Sequence, residues 1–371
     1  MKISEIISIL EDMAPLSYAE DFDNVGLIVG HADLEATGIL VCHDALESVV
    51  NEAISCNCNL IVCFHPILFS GIKKWTGKNY VERAVMKAIK NDIAIYAVHT
   101  ALDNHQEGVN KIFCNQLGLQ NTSILIPKKQ YIRKLITYTT PENAALIRHS
   151  LFEAGAGNIG NYDQCSFNSS GFSTYRGNEN SRPVVGQKGI VTSTDEVKIE
   201  VIFEKHLEQK IIKTLLQNHI YEEVAYEIYE TQNVHQNIGL GMIGKLEKPM
   251  DGLAFLKKVK QLMGAEGIRY SGNTDKKVQK IAVLGGSGSF AISNAISAGA
   301  DVFLTADLKY HQYYEAENKL ILVDIGHFES ERFTKNYIFD YLTKKIINFA
   351  ELLPKGGIML SKENTNPVKY L

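Results

Sequence analysis

Hydrophobic positions along this chain switch repeatedly between two spacings, which predicts helices and strands following one another. Ile3, Ile6, Ile7, Leu10 and Met13 recur at helical spacing, the buried stripe of an amphipathic opening helix. A polar turn over 21–26 leads into short apolar runs at 26–29 and 38–42 that read as strands. A helix near 46–55, a buried strand over 59–63, a helix through 80–91, a strand over 93–98 and a helix from about Gly108 continue the alternation. The pattern implies an α/β fold.

Residues from about 133 to 229 follow a different order. A strand over 135–139, a helix over 142–154, a glycine-rich stretch over 155–162 and a polar loop over 168–182 come first. A strand over 197–203, a helix near 207–218 and a strand around 224–229 follow. This is the β-α-β, β-α-β order of a ferredoxin-like unit, so the block is expected to be an inserted α+β domain between polar hinges at 127–131 and 231–236. The expected division is 1–130, 131–232 and 233–371. Beyond the insert, a helix near 252–263, strands over 280–284 and 302–305 and a helix through 291–298 return to α/β alternation.

Composition adds bounds rather than detail. The chain has 371 residues, 45% hydrophobic and 22% charged, which is room for two or three well-filled domains. A formal charge of −4 offers no global attraction to nucleic acid or anionic lipid, and no local basic patch is evident. The opening helix is interrupted by Glu5 and Glu11, unlike a signal peptide, and no apolar run is long enough to span a bilayer, so a cytoplasmic location is expected. The six cysteines form no C-x-x-C pair, and several lie inside apolar runs, so reduced and mostly buried thiols are expected. Cys56 and Cys58 are a weak candidate metal pair.

The chemistry gathers where strands end. The run 59–63 ends at Phe64-His65-Pro66, and the strand over 93–98 runs into His99 and Asp103. The strand over 320–323 is broken by Gly326 and followed by His327 and Glu331, four residues apart on what reads as a first helical turn. Imidazoles and carboxylates collected at one sheet edge would form a mixed N/O site suited to Zn, Mn, Fe or Ni. The alternative is a surface histidine beside an acid favoured by the helix dipole. The loop Gly285-Gly286-Ser287-Gly288-Ser289-Phe290 invites a phosphate-binding reading, but it lacks the lysine and hydroxyl of a P-loop, and close backbone packing is the better expectation. Asp307, Lys309, Tyr310 and His311 form a further polar cluster beyond a strand.

Six ordered motifs carry a resemblance that spacing alone does not. They are Asp21-Phe22-Asp23-Asn24-Val25-Gly26, the segment from Phe64 to Phe69, the segment from His99 to Asp103, the glycine loop, the segment from Ala300 to His311, and Gly326-His327 with Glu331. Together they resemble the Nif-three-like family, also called GTP cyclohydrolase 1 type 2 homologues, over nearly the whole chain. The middle block is similar to the PII-like domain inserted in the longer members. The resemblance implies two α/β lobes with a dinuclear metal centre between them, and a toroidal homohexamer with the sites facing its cavity. It carries the ligand set to His65, Asp103, His327 and Glu331, with zinc the first candidate ion, and His99 is expected beside Asp103 as an orienting partner. One departure stands out: many bacterial members carry two adjacent histidines where this chain has Phe64-His65, which leaves one metal position short of a ligand. The implied activity is hydrolytic opening of the guanine ring of GTP or work on a related small molecule. The rival reading is a non-catalytic metal-binding ring acting as regulator or scaffold, with the PII-like insert sensing a small molecule.

Overall fold

The structure, a computed structural model, describes residues 1–347 and 357–371. Two compact units divide it: Met1–Pro127 with Gln236–Leu371, and Lys128–His235. In chain order the first strands are β1 (Gly26–Val29), β2 (Ile39–Asp44), β3 (Leu60–His65), β4 (Ala94–Ala97) and β5 (Gln120–Lys129). Next come β6 (Ile132–Thr139), β7 (Phe167–Arg176), β8 (Val191–Glu204) and β9 (Tyr226–Glu230). The remainder are β10 (Val234–Asp251), β11 (Arg269–Ser271), β12 (Lys277–Ser287), β13 (Val302–Ala306), β14 (Ile321–Asp324) and β15 (Ile358–Leu360).

The larger unit holds two sheets. One runs in the order β1-β4-β3-β2-β15, with β4, β3, β2 and β15 parallel and β1 antiparallel at the edge. Its central strands are unbroken apolar runs because both faces are covered, which is why they read as solid rather than alternating segments. Val49, Val50 and Ala53 of the helix Glu47–Ser55 and Ala84, Val85 and Ala88 of the helix Tyr80–Lys90 pack on Leu40, Ile61 and Ile95. Asn79 caps the second of these helices by accepting from Glu82 N–H.

The other sheet has the order β11-β14-β13-β12-β10-β5, parallel through β12, β13 and β14. Alternate residues of β12 serve opposite cores. Ile281 and Val283 meet Phe255, Leu256 and Val259 of the helix Gly252–Leu262, whereas Ala282 and Leu284 meet Ile292 and Ala295. Neither β5 nor β10 is foreseen in the sequence reading, and the expected hinges at 127–131 and 231–236 lie partly inside them.

Lys128–His235 is a four-stranded antiparallel sheet ordered β7-β8-β6-β9 with helices Ala144–Glu153 and Glu208–Asn218. This is the ferredoxin-like connectivity, cored by Leu135, Ile147, Leu151, Ile199, Val201, Phe203, Ile211 and Leu215. The segment expected as a loop over 168–182 instead begins as β7, paired residue for residue with β8 from Phe167↔Glu200 to Arg176↔Val191. Both faces of β7 are largely exposed, so its polar residues carry no inside-outside alternation that a pattern could detect.

Candidate metal centre

Three strand ends build the site. In the parallel pair β2·β3, Asp44 stands opposite His65, and their side chains join through His65 Nδ1 and Asp44 Oδ1 at 2.8 Å. After β14, Gly326 takes a φ of 93°, a turn open to glycine, and starts the single helical turn His327–Glu331. His327 Nδ1 lies 2.7 Å from Asp307 Oδ2, just past the end of β13. The third segment was expected as a strand edge opening into polar residues, but β4 turns at once into the short helix His99–Asp103.

With each Nδ1 held by a carboxylate, the Nε2 atoms of His65 and His327 are aimed inward, and each lies 3.3 Å from Glu331 Oε2. His43 Nε2 lies 3.6 Å from the same oxygen. Glu331 is only 3% exposed, yet this oxygen accepts no hydrogen bond in good geometry. Asp103 Oδ1 and both ring nitrogens of His43 are also buried without hydrogen-bond partners. Buried polar atoms left unpaired cost free energy, and three imidazole nitrogens set around one carboxylate oxygen form a place where a cation could complete the bonding. Among the described residues, two sets of donor atoms lie close enough to share an ion: His65, His327 and Glu331, and His43, Asp44 and His65.

The glycine loop has a packing reason. Gly286, at φ 67°, faces Glu331 so closely that a Cβ there would come within 2.4 Å of Oε1. A Cβ on Gly285 would meet Glu331 Cγ at 3.4 Å and Val109 Cγ1 at 3.0 Å. Two of the loop's amides are already engaged: Gly285 N–H donates to Asn110 Oδ1 and Gly286 N–H to Ser330 Oγ. Backbone approach to Glu331, rather than a phosphate cradle, accounts for Gly285 and Gly286, while Gly288 packs against Thr305 and Leu284.

Electrostatics follow burial and pairing. Burial opposes charge on His65, but contact with Asp44 and Glu331 raises its pKa to about 9. His327 is likewise raised, to about 11, against burial and by Glu331 and Asp307. Burial also opposes ionisation of Glu331, yet the adjacent His327 and His65 hold it well below the usual carboxylate range. Asp103 moves the other way, pushed up by burial and by the Glu331 charge. His43 is pulled down to about 4 by burial and by His65, so its imidazole is neutral and one ring nitrogen keeps its lone pair free for a ligand role.

Of the residues singled out from sequence, His65, His327 and Glu331 meet, and Asp103 lines the same cavity, about 1400 Å³, together with His99. His99 Nδ1 bonds to Asp23 Oδ1 at 2.8 Å, where pairing with Asp103 was expected. Asp23 also accepts from Thr100 N–H and Oγ1, which fixes the polar turn to the helix His99–Asp103. Among the described residues Cys56 and Cys58 join no candidate metal group, and all six thiols are free. His43 and Asp44 are absent from the sequence reading, although they end β2 as His65 ends β3. That parallel was the available signal.

The family model Duf34/NIF3 (NGG1p interacting factor 3) matches residues 1–367. The chain is 35% identical over 370 residues to the Bacillus subtilis protein named GTP cyclohydrolase 1 type 2 homolog, covering 99% of this chain and 98% of that one. It is 34% identical over 372 residues to the Listeria monocytogenes protein of the same name, covering 99% and 98%. Among solved structures, a Bacillus cereus protein related to NIF3 superposes with a TM-score of 0.85 at 36% identity, covering 100% of this chain and 99% of that one. By sequence over its whole length and by fold, this chain belongs to the Duf34/NIF3 family.

Proposed function

We propose that this chain is a divalent-metal-dependent hydrolase whose centre is held by His65, Asp103, His327 and Glu331, acting on a nucleotide or related small molecule. The observation that carries the reading is the convergence of two carboxylate-oriented imidazoles at 3.3 Å on one buried, otherwise unbonded oxygen of Glu331. Mixed nitrogen and oxygen donors suit Zn²⁺ first, with Mn²⁺, Fe²⁺ or Ni²⁺ compatible, at one or two ions per chain. Such ions, when bound, supply Lewis-acid polarisation and a nucleophile available near neutral pH. Asp44 and Asp307 set the tautomers of His65 and His327, and Asp103 stands beside the centre as ligand or proton carrier. Exposed aromatic rings at Phe22, Phe69 and Tyr80 border the same cavity and suit a flat heterocycle, in line with the cyclohydrolase name of the relatives.

Assembly as a homohexameric toroid and a PII-like role for residues 128–235 belong to the same proposal. Because that unit has its own core, a second reading has support: a metal-binding regulatory ring with a small-molecule sensor and no turnover. One screen separates them. The hydrolase turns over a member of a nucleotide and phosphoester panel with added Mn²⁺ or Zn²⁺ and stops in Asp103→Ala, whereas the regulator binds metal and converts nothing.

A further inference from the structure

His43 and Phe64 are cross-strand neighbours. The parallel register of β2 and β3 sets Cys42 opposite Cys63 and Asp44 opposite His65, which places His43 opposite Phe64 on one face of the sheet. Their rings stack, with centroids 5.4 Å apart and planes at 29°. Phe64 is fully buried and offers no donor to the centre. His43 is 4% exposed, has no hydrogen bond at either ring nitrogen, and holds Nε2 3.6 Å from Glu331 Oε2. A buried imidazole with both nitrogens unsatisfied is costly unless something occupies them.

We propose that His43 is a metal ligand, supplying from β2 the imidazole that residue 64 of β3 cannot supply, so that the chain holds two neighbouring ions. The inference rests on the metal-centre reading above. His43 and His327 do not share one candidate group, yet each has Nε2 within 3.6 Å of Glu331 Oε2. That arrangement would suit two ions, with Glu331 beside both, better than one four-ligand ion. His65 lies between, within reach of both sets.

The exchange of side chains across the strand pair makes the idea testable. Full-length protein is stripped, reloaded with Zn²⁺, desalted and assayed for bound zinc. Wild type is expected to hold two ions per chain and His43→Leu one. The exchange His43→Phe with Phe64→His keeps the pair's volume and composition and is expected to restore two. Equal zinc content in wild type and His43→Leu overturns the role of His43 while leaving the metal centre standing, whereas wild type that binds no zinc sinks the centre itself. A readout independent of variant folding is the Co²⁺-loaded wild type, where three paramagnetically shifted imidazole N–H signals are expected. Two signals would overturn the proposal.

Discussion

At the scale of single residues, the proposed centre would depend on charge at Glu331 and on carboxylates behind the imidazoles. Glu331→Gln keeps shape but removes the charge against which His65, His327 and His43 are set, so bound metal should be lost with the fold intact by circular dichroism. Glu329, two residues earlier on the same turn, is the comparison, because it is buried too and accepts from Asn366 Nδ2 at 3.0 Å. Glu329→Gln should therefore keep the metal. The reverse ranking in a zinc titration would mean that the ligand turn is misassigned. Asp307→Asn leaves His327 without its anionic partner and should weaken metal binding by about 10–100-fold. His327 and Glu331 were legible as neighbours because two side chains on one helix face are four residues apart. Asp44, Asp23 and Asp307 reach their histidines from other elements, and no interval in the sequence marks such pairs.

At the scale of elements, the glycine loop after β12 and the insert's second helix each support an argument. Gly286→Ala would drive a methyl group to 2.4 Å from Glu331 Oε1 at a φ of 67° that alanine also resists. The expected result is metal affinity reduced at least about 10-fold, by analogy with a displaced orienting group, measured against a Gly288→Ala control that meets Thr305 instead. In the insert, His219 Nε2 lies 2.9 Å from Tyr138 O, and Nδ1 accepts from Tyr221 N–H at 3.1 Å. The Nδ1 bond requires the neutral ring, while Nε2–H can donate to Tyr138 O in either state, and burial lowers the pKa against a smaller upward pull from Tyr138 and Glu196. The folded form thus binds its proton less readily than the unfolded one, so this contribution is complete above about pH 6.5 and is lost as the pH falls below it. Amide protection of the segment around Tyr221, taken relative to the intrinsic exchange rate at each pH, should fall between pH 7.5 and 5.5, and His219→Gln, whose amide can make both bonds without titrating, should flatten that change. Elements with one buried face were readable in advance. Exposed β7, the long β10 and the one-turn helix His99–Asp103 were not, since the first has no buried side and the last is too short for a period to show.

At the scale of the whole chain, the outline of an α/β protein interrupted by a ferredoxin-like block could be read from the order of elements, because each block repeats its own strand-helix rhythm. The borders were less legible: they fall inside β5 and β10, which continue through the polar segments that looked like hinges. That continuity gives the final prediction its form. β5 and β10 are neighbours in the six-stranded sheet, and Gly239 approaches Ile126 so closely that a Cβ would fall 2.2 Å from its carbonyl oxygen. The chain therefore leaves the larger unit and returns to it side by side, and a short Gly/Ser turn can replace residues 128–235. Every candidate ligand and both sheet cores lie outside the removed segment. The shortened protein should stay soluble, unfold in one transition and bind Zn²⁺ in the same number as the full chain, with affinity within a few-fold. Loss of metal from a soluble, folded product would show that the insert supports the centre, and an insoluble product would show that the larger unit depends on it to fold.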